Sequence, residues 1–162
     1  MGLRNNALAI GTGVLIGAGA ILVPVLQGYE GLVLVAEPDP VGIPTICYGH
    51  TEGVKLGDTM SKQECDYLLA VEVMEYMKAV DEMVTVDLPE TRLAALSSFA
   101  YNVGPENLRK STLLKLLNAG HTREACNELT RWSFAKGKKL RGLVIRREDE
   151  RKMCLEGLED RL

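Results

Sequence analysis

Hydrophobic and polar positions divide this chain into three patterns. From Ala7 to Leu26 the only conventionally polar side chain is Thr12, and no charge lies between Arg4 and Glu30. Such a run predicts one apolar helix, long enough to span a bilayer. Residues 32–57 instead set short apolar runs between turn signals. Leu32, Val33, Leu34 and Val35 precede Glu37-Pro38-Asp39-Pro40, and Ile43, Thr45 and Cys47 precede Gly49-His50. Glu52-Gly53 marks a further turn, so this block predicts a small antiparallel sheet. From residue 61 the period becomes helical. Ser61-Lys62-Gln63-Glu64 reads as a capping box, and Leu69, Val73, Met77, Val80 and Val84 recur on one face of a long helix. Further helices are predicted from Pro89 to Asn102-Val103-Gly104, from Ser111 to Leu117, from a Thr122 cap to Leu129, and from Leu143 to about Leu158.

The outline is an α+β fold: a small antiparallel β-sheet lobe and a larger helical lobe joined by a long helix, with an N-terminal apolar helix in front. A cleft between two such lobes suits an extended ligand. With 162 residues there is room for one catalytic domain.

Composition sharpens the picture at the N-terminus. Glycine and alanine fill much of residues 7–20, so the segment is weakly apolar for a membrane span. Arg4 and the apolar run resemble an export signal. Val23-Pro24-Val25-Leu26-Gln27-Gly28 is too bulky for a cleavage site, so an uncleaved signal anchor fits better. Gly13-x-x-x-Gly17 matches a close-approach motif for membrane helices. Residues 30–90 are acidic and residues 91–162 basic, within a net charge of −3. That balance excludes a basic nucleic-acid-binding tail. The basic run from Arg131 to Arg147 reads either as a solvated face or as a surface for an anionic polymer.

Four cysteines, Cys47, Cys65, Cys126 and Cys154, form no CxxC. With only His50 and His121 beside them, no metal site is expected. They are either buried thiols or disulfides permitted by export, with three pairings possible.

Candidate chemistry starts at Glu30, an acid at the end of an apolar helix, where desolvation favours the protonated form. Asp39 sits nine residues on in a proline-flanked turn, and Thr45 six further on a strand. Two carboxylates in contrasting environments can cleave a glycosidic bond. Spacing alone does not establish that chemistry.

The string as a whole resembles the phage-type lysozymes, or endolysins. The resemblance rests on Tyr29-Glu30-Gly31, Asp39 and Thr45-Ile46-Cys47-Tyr48-Gly49-His50-Thr51. It continues through Ser61-Lys62-Gln63-Glu64, Phe99-Ala100-Tyr101-Asn102-Val103-Gly104, Ser111-Thr112-Leu113-Leu114, Arg131-Trp132 and Arg146-Arg147-x-x-Glu150. It implies a lysozyme-like muramidase that hydrolyses the β-1,4 bond between N-acetylmuramic acid and N-acetylglucosamine in peptidoglycan during host-cell lysis. Glu30 would be the general acid, Asp39 would activate the attacking water, and Thr45 would hold it, with inversion at the anomeric carbon. His50 and Asn102 are candidate substrate contacts, with bracing and helix termination as their plain structural roles. Arg141, Arg146 or Arg147 is expected to pair with Glu30. Trp132 is expected in the core.

The glycine- and alanine-rich start resembles the signal-anchor-release subset of these enzymes. That implies an anchor over residues 1–28 and a muramidase domain over 29–162. The chain would be exported through the inner membrane and tethered there through residues 7–26, inactive in the periplasm. It would become active on release. The anchor has no cysteine, so activation by disulfide exchange with it is not available. Static Cys47–Cys65 and Cys126–Cys154 bridges are expected instead. No cofactor, no nucleic-acid partner and a monomeric state are expected. A membrane-anchored peptidoglycan-binding module and a lytic transglycosylase are the alternatives.

Overall fold

The computed structural model describes residues 11–158. Residues 7–10 of the predicted apolar span, and 159–162 of the predicted catalytic domain, lie outside that range. The first helix, α1, runs from Thr12 to Glu30 without a break. Ala18, Leu22 and Leu26, spaced at i, i+4 and i+8, are its fully buried stripe. The opposite face is solvent-exposed at Ile16, Ala20 and Pro24. Proline has no N–H to donate within a helix, and exposed Pro24 presents its ring outward. Gly31, at φ +71°, turns the chain out of α1, and only Gly31 and Leu32 separate Glu30 from the first strand.

The strands β1 (Val33–Pro38) and β2 (Pro44–Cys47) form an antiparallel pair. Val33 faces Cys47 and Glu37 faces Thr45, so β1 bulges between those pairs. The bulged residues find another partner. Leu34 and Ala36 exchange backbone hydrogen bonds with Gly57, Asp58 and Met60, which act as an incipient third strand.

Helix α2 (Lys62–Met83) joins the lobes, and at 1.5 Å per residue it is about 33 Å long. Ser61 and Glu64 close its capping box reciprocally, as the sequence predicts. Cys65, Leu69, Val73, Met77 and Val80 bury one face. Helix α3 (Glu90–Val103) is the hub, packed on α1, α2 and α7. Its residues are buried all round from Arg92 to Ala100, the state of a helix enclosed by others.

Helices α4 (Pro105–Lys110), α5 (Thr112–Asn118) and α6 (Thr122–Glu128) wrap the lobe. A short helical turn over Leu129–Arg131 follows, then the hairpin β3 (Phe134–Ala135) and β4 (Lys138–Lys139), and α7 (Arg141–Leu155). Asn118 bridges elements, donating to the Met83 carbonyl and accepting from the Thr85 amide.

Several boundaries differ from the sequence expectation. Thr122 is the first helical residue rather than a cap, and it is buried; His121 precedes it without a side-chain cap bond. The last helix begins two residues earlier than predicted, because the β3–β4 hairpin feeds it directly. It ends at Leu155, where Glu156 leaves helical geometry. Helix α4 and the hairpin were not anticipated. Trp132 is half-buried at the edge of the core, edge-on to Phe99 at 5.2 Å.

Two disulfides staple the body, Cys47–Cys65 across 18 residues and Cys126–Cys154 across 28. Closing loops of that length stabilises a fold by about 3 kcal/mol each in the chain-entropy model. Neither involves α1.

Candidate active site

Glu30 closes the last turn of α1, and α7 receives it. The Arg146 guanidinium donates from Nη1 to Glu30 Oε1 at 2.6 Å. The Glu30 side chain keeps about a fifth of its surface exposed (22%), whereas Arg146 is at 6%. The other two arms of Arg146 are also held. Nε donates to Glu150 Oε1 at 3.2 Å and Nη2 to the Ser98 carbonyl at 3.2 Å. Its face lies 4.7 Å from the Tyr29 ring, a cation–π contact. Tyr29 in turn donates its hydroxyl to Asp149 at 2.8 Å. Of the three arginines left open by the sequence, Arg146 pairs with Glu30. A carboxylate bound on one oxygen by a planar guanidinium has its orientation fixed. The other oxygen, Oε2, faces Gly49, where a Cβ would sit 3.9 Å away.

Gly49, at φ +94°, is also the wall of a cleft of about 460 Å³ between the lobes. His50, Thr51, Glu72, Glu75, Tyr76 and Tyr101 line it. His50 Nδ1 and Glu72 Oε1 are 2.6 Å apart, so the histidine both lines the cleft and braces the turn after β2 against α2. The Tyr101 hydroxyl donates to the Tyr48 carbonyl at 2.7 Å and reaches Glu72 at 3.3 Å. Burial, with the nearby Glu72 and Glu30 charges, pushes its pKa up, so it stays a neutral donor.

Asp39 shapes the β1–β2 turn. Its Oδ1 accepts from the Val41 and Ile43 amides at 2.9 and 2.8 Å, an Asx-type closure. Thr45 donates its hydroxyl to the Ile43 carbonyl at 3.0 Å, which leaves its oxygen lone pairs as acceptors. The hairpin thus groups Asp39 with Thr45. No hydrogen bond joins either to Glu30 among the described residues.

Beneath Glu30 lies a buried ionic cluster that sequence reasoning passed over. Glu150 is fully buried. It accepts from the Ser98 hydroxyl at 2.7 Å as well as from Arg146, and its Oε2 lies 2.9 Å from Arg147 Nη1. Burial pushes the Glu150 carboxyl up, and the two guanidiniums and Ser98 pull it back. Burial likewise lowers Arg147, with Glu150 opposing. Arg147 stacks on Phe99 at 4.9 Å and donates from Nη2 to Asn102 Oδ1, a short contact. Asn102 is exposed at the end of α3, with its carbonyl oxygen fixed from below. The available signal for this cluster was Arg-Arg-x-x-Glu, whose i, i+3 and i, i+4 spacing puts both arginines beside the acid on one helix.

The far side of α1 is held by a second cluster. Gln27 donates to Asp66 at 3.1 Å and approaches the Tyr48 hydroxyl at 3.3 Å. Tyr48 and Lys62 donate to Asp66 at 2.7 and 2.5 Å.

Comparison with known proteins places this geometry among relatives. The phage lysozyme family model matches residues 27–150. The chain is 42% identical over 159 residues to the SAR-endolysin of Bacteriophage PS119, covering 96% of this chain and 95% of that protein. It resembles the muramidase domain of SpmX from Asticaccaulis excentricus, at 28% identity and a TM-score of 0.76. That match covers 91% of this chain and 97% of the domain. The active form of the P1 phage endolysin Lyz gives a TM-score of 0.77 at 25% identity, over 100% of this chain and 99% of that one.

Proposed function

The chain belongs to the phage lysozyme family, as an endolysin of the SAR type, and from that premise we propose a mechanism and a route of activation. The enzyme is a glycoside hydrolase, a muramidase acting on peptidoglycan. Glu30 is the general acid that protonates the leaving oxygen, Asp39 activates water, and Thr45 holds it. The observation that carries this reading is the fixed Glu30 carboxylate, with one oxygen on Arg146 and the other turned to the cleft wall. Inversion at the anomeric carbon is carried over from the family resemblance; it needs carboxyls about 6.5–9.5 Å apart, with a water between them. His50 and Asn102 contact the glycan from the cleft wall and the end of α3.

Activation follows from the dual nature of α1. Thr12–Glu30 is long and apolar enough to cross a membrane, yet here it packs on α2 and α3. Embedded, residues 7–26 hold Glu30 at the lipid interface, away from Arg146, and the periplasmic enzyme is inactive. Released, the same helix docks and delivers Glu30. The likeness to the active form of a relative supports the docked, active reading of this conformation. Residues 1–28 are then the anchor and 29–162 the monomeric muramidase unit, completed by the anchor on release.

Glu30→Gln keeps the size of the side chain and removes the transferable proton. Clearing of peptidoglycan suspensions is expected to fall by about 10²–10⁴-fold, the usual contribution of a positioned acid. Unchanged clearing rejects the catalytic reading and leaves a binding module. Anhydro-muramic ends in place of reducing ends indicate a transglycosylase.

A further inference from the structure

We propose that Glu150 is a positioning residue that aligns two arginines, one holding Glu30 beside the cleft and the other holding the exposed Asn102. Arg146 fixes Glu30, and Arg147 fixes Asn102. The inference rests on the reading of Glu30 as the acid.

A guanidinium presents its N–H groups in a rigid planar fork, so constraining two arms constrains the third. Glu150 takes Nε, the Ser98 carbonyl takes Nη2, and only Nη1 is left directed at Glu30. Ser98 acts twice, because its hydroxyl also holds Glu150 Oε1. These partners come from α3 and α7, not from α1. The socket for Glu30 is therefore built largely by the body, with Tyr29 of α1 added against the guanidinium face.

Charge leads to the same conclusion. Two guanidiniums and one carboxylate leave the socket cationic until Glu30 joins it. Without Glu150, the positive charge beside Glu30 is no longer offset by a buried carboxylate. The charged and titratable groups around this cluster are Arg146, Arg147, Asp149 and Glu150 from α7, Tyr29 from α1, Tyr101 from α3, and the His50–Glu72 pair that lines the cleft. Glu150 is the one acid of these that touches both arginines.

The test compares Glu150→Gln and Ser98→Ala with the unaltered full chain on soluble glycan strands, reading kcat, KM and their pH profiles. Glu150→Gln is expected to lower kcat about tenfold or more through lost alignment at the reacting centre, with a smaller rise in KM as the Asn102 contact loosens. The descending basic limb of kcat is expected to move toward acid, because the two guanidiniums are no longer offset by the Glu150 charge. Ser98→Ala keeps the charge and loosens the fork, so a smaller drop in kcat is expected without that shift. A folded Glu150→Gln protein with unchanged kcat and pH limb overturns the proposal. If that variant does not fold, an unchanged kcat in Ser98→Ala overturns it instead. Glu30→Gln is measured alongside. An active Glu30→Gln protein removes the catalytic reading and this inference with it. An inactive one beside a normal Glu150→Gln protein removes only the inference.

Discussion

At the scale of single residues, Asp39 carries two jobs that one pair of substitutions separates. Its Oδ1 closes the hairpin turn through the Val41 and Ile43 amides, and its charge is proposed to activate water. Asn keeps an accepting Oδ1 but loses the charge. Asp39→Asn is expected to hold thermal stability within about 0.5 kcal/mol while kcat falls by about 10²-fold. Asp39→Ala is expected to lose about 1–2 kcal/mol as well, as for a lost side-chain cap on backbone amides. Equal activity in Asp39→Asn and the unaltered enzyme would confine Asp39 to the turn. Glu30, Asp39 and Thr45 could be singled out as candidates because they are close in sequence and sit in the motif that carries the resemblance. Glu150 was not: its role depends on α3 and α7 meeting across 52 residues at Ser98. Cys47 carries another lesson. Its φ of +59° is a conformation costly for a side chain bearing Cβ, and its disulfide and full burial hold it there.

At the scale of elements, α1 is gripped at its C-terminal end from both sides. Asp66 is the hub of the outer grip, and the bonds from Lys62 and Tyr48, with a smaller one from Gln27, hold its carboxyl below the ordinary aspartate range. A depressed folded pKa contributes stability that is complete above the unfolded value, about 3.9. It is lost as pH falls through the lower folded value. Acid titration should therefore loosen the Gln27 end of α1 below about pH 4, read as faster amide exchange there. In Asp66→Asn that dependence should flatten; an identical acid profile would remove Asp66 from the grip. The long elements were readable, because α2 and α3 repeat apolar residues over several turns. The six-residue α4 is too short to show a period. The β3–β4 hairpin has two-residue strands, one of them Lys138–Lys139, and turns through Lys136 and Gly137, both at positive φ, as a two-residue loop requires. That unrecognised turn is why the sequence did not choose among the arginines that follow it.

At the scale of the whole molecule, the proposed switch balances two environments for one helix. A Cβ at Gly11 or Gly13 meets open space, whereas one at Gly17 overlaps the Glu90 carboxylate and displaces that exposed side chain. Replacing all three with leucine should therefore leave the docked fold in place once Glu90 swings outward. Each leucine adds about 1.5–3 kcal/mol of apolar transfer, and all three favour the bilayer. The expected result is protein retained in the membrane fraction, with lysis delayed or lost and normal activity once extracted. Prompt lysis by the retained protein would end the anchor-release proposal. The two-residue link at Gly31 and Leu32 bears on this balance in another way. A helix tied so closely to its own receptor meets it at a local concentration that no neighbouring molecule can match. On the proposed route, docking is first-order, so its rate does not depend on how much enzyme the cell has accumulated. Stockpiling would then raise the number of molecules that fire without changing when any one of them does.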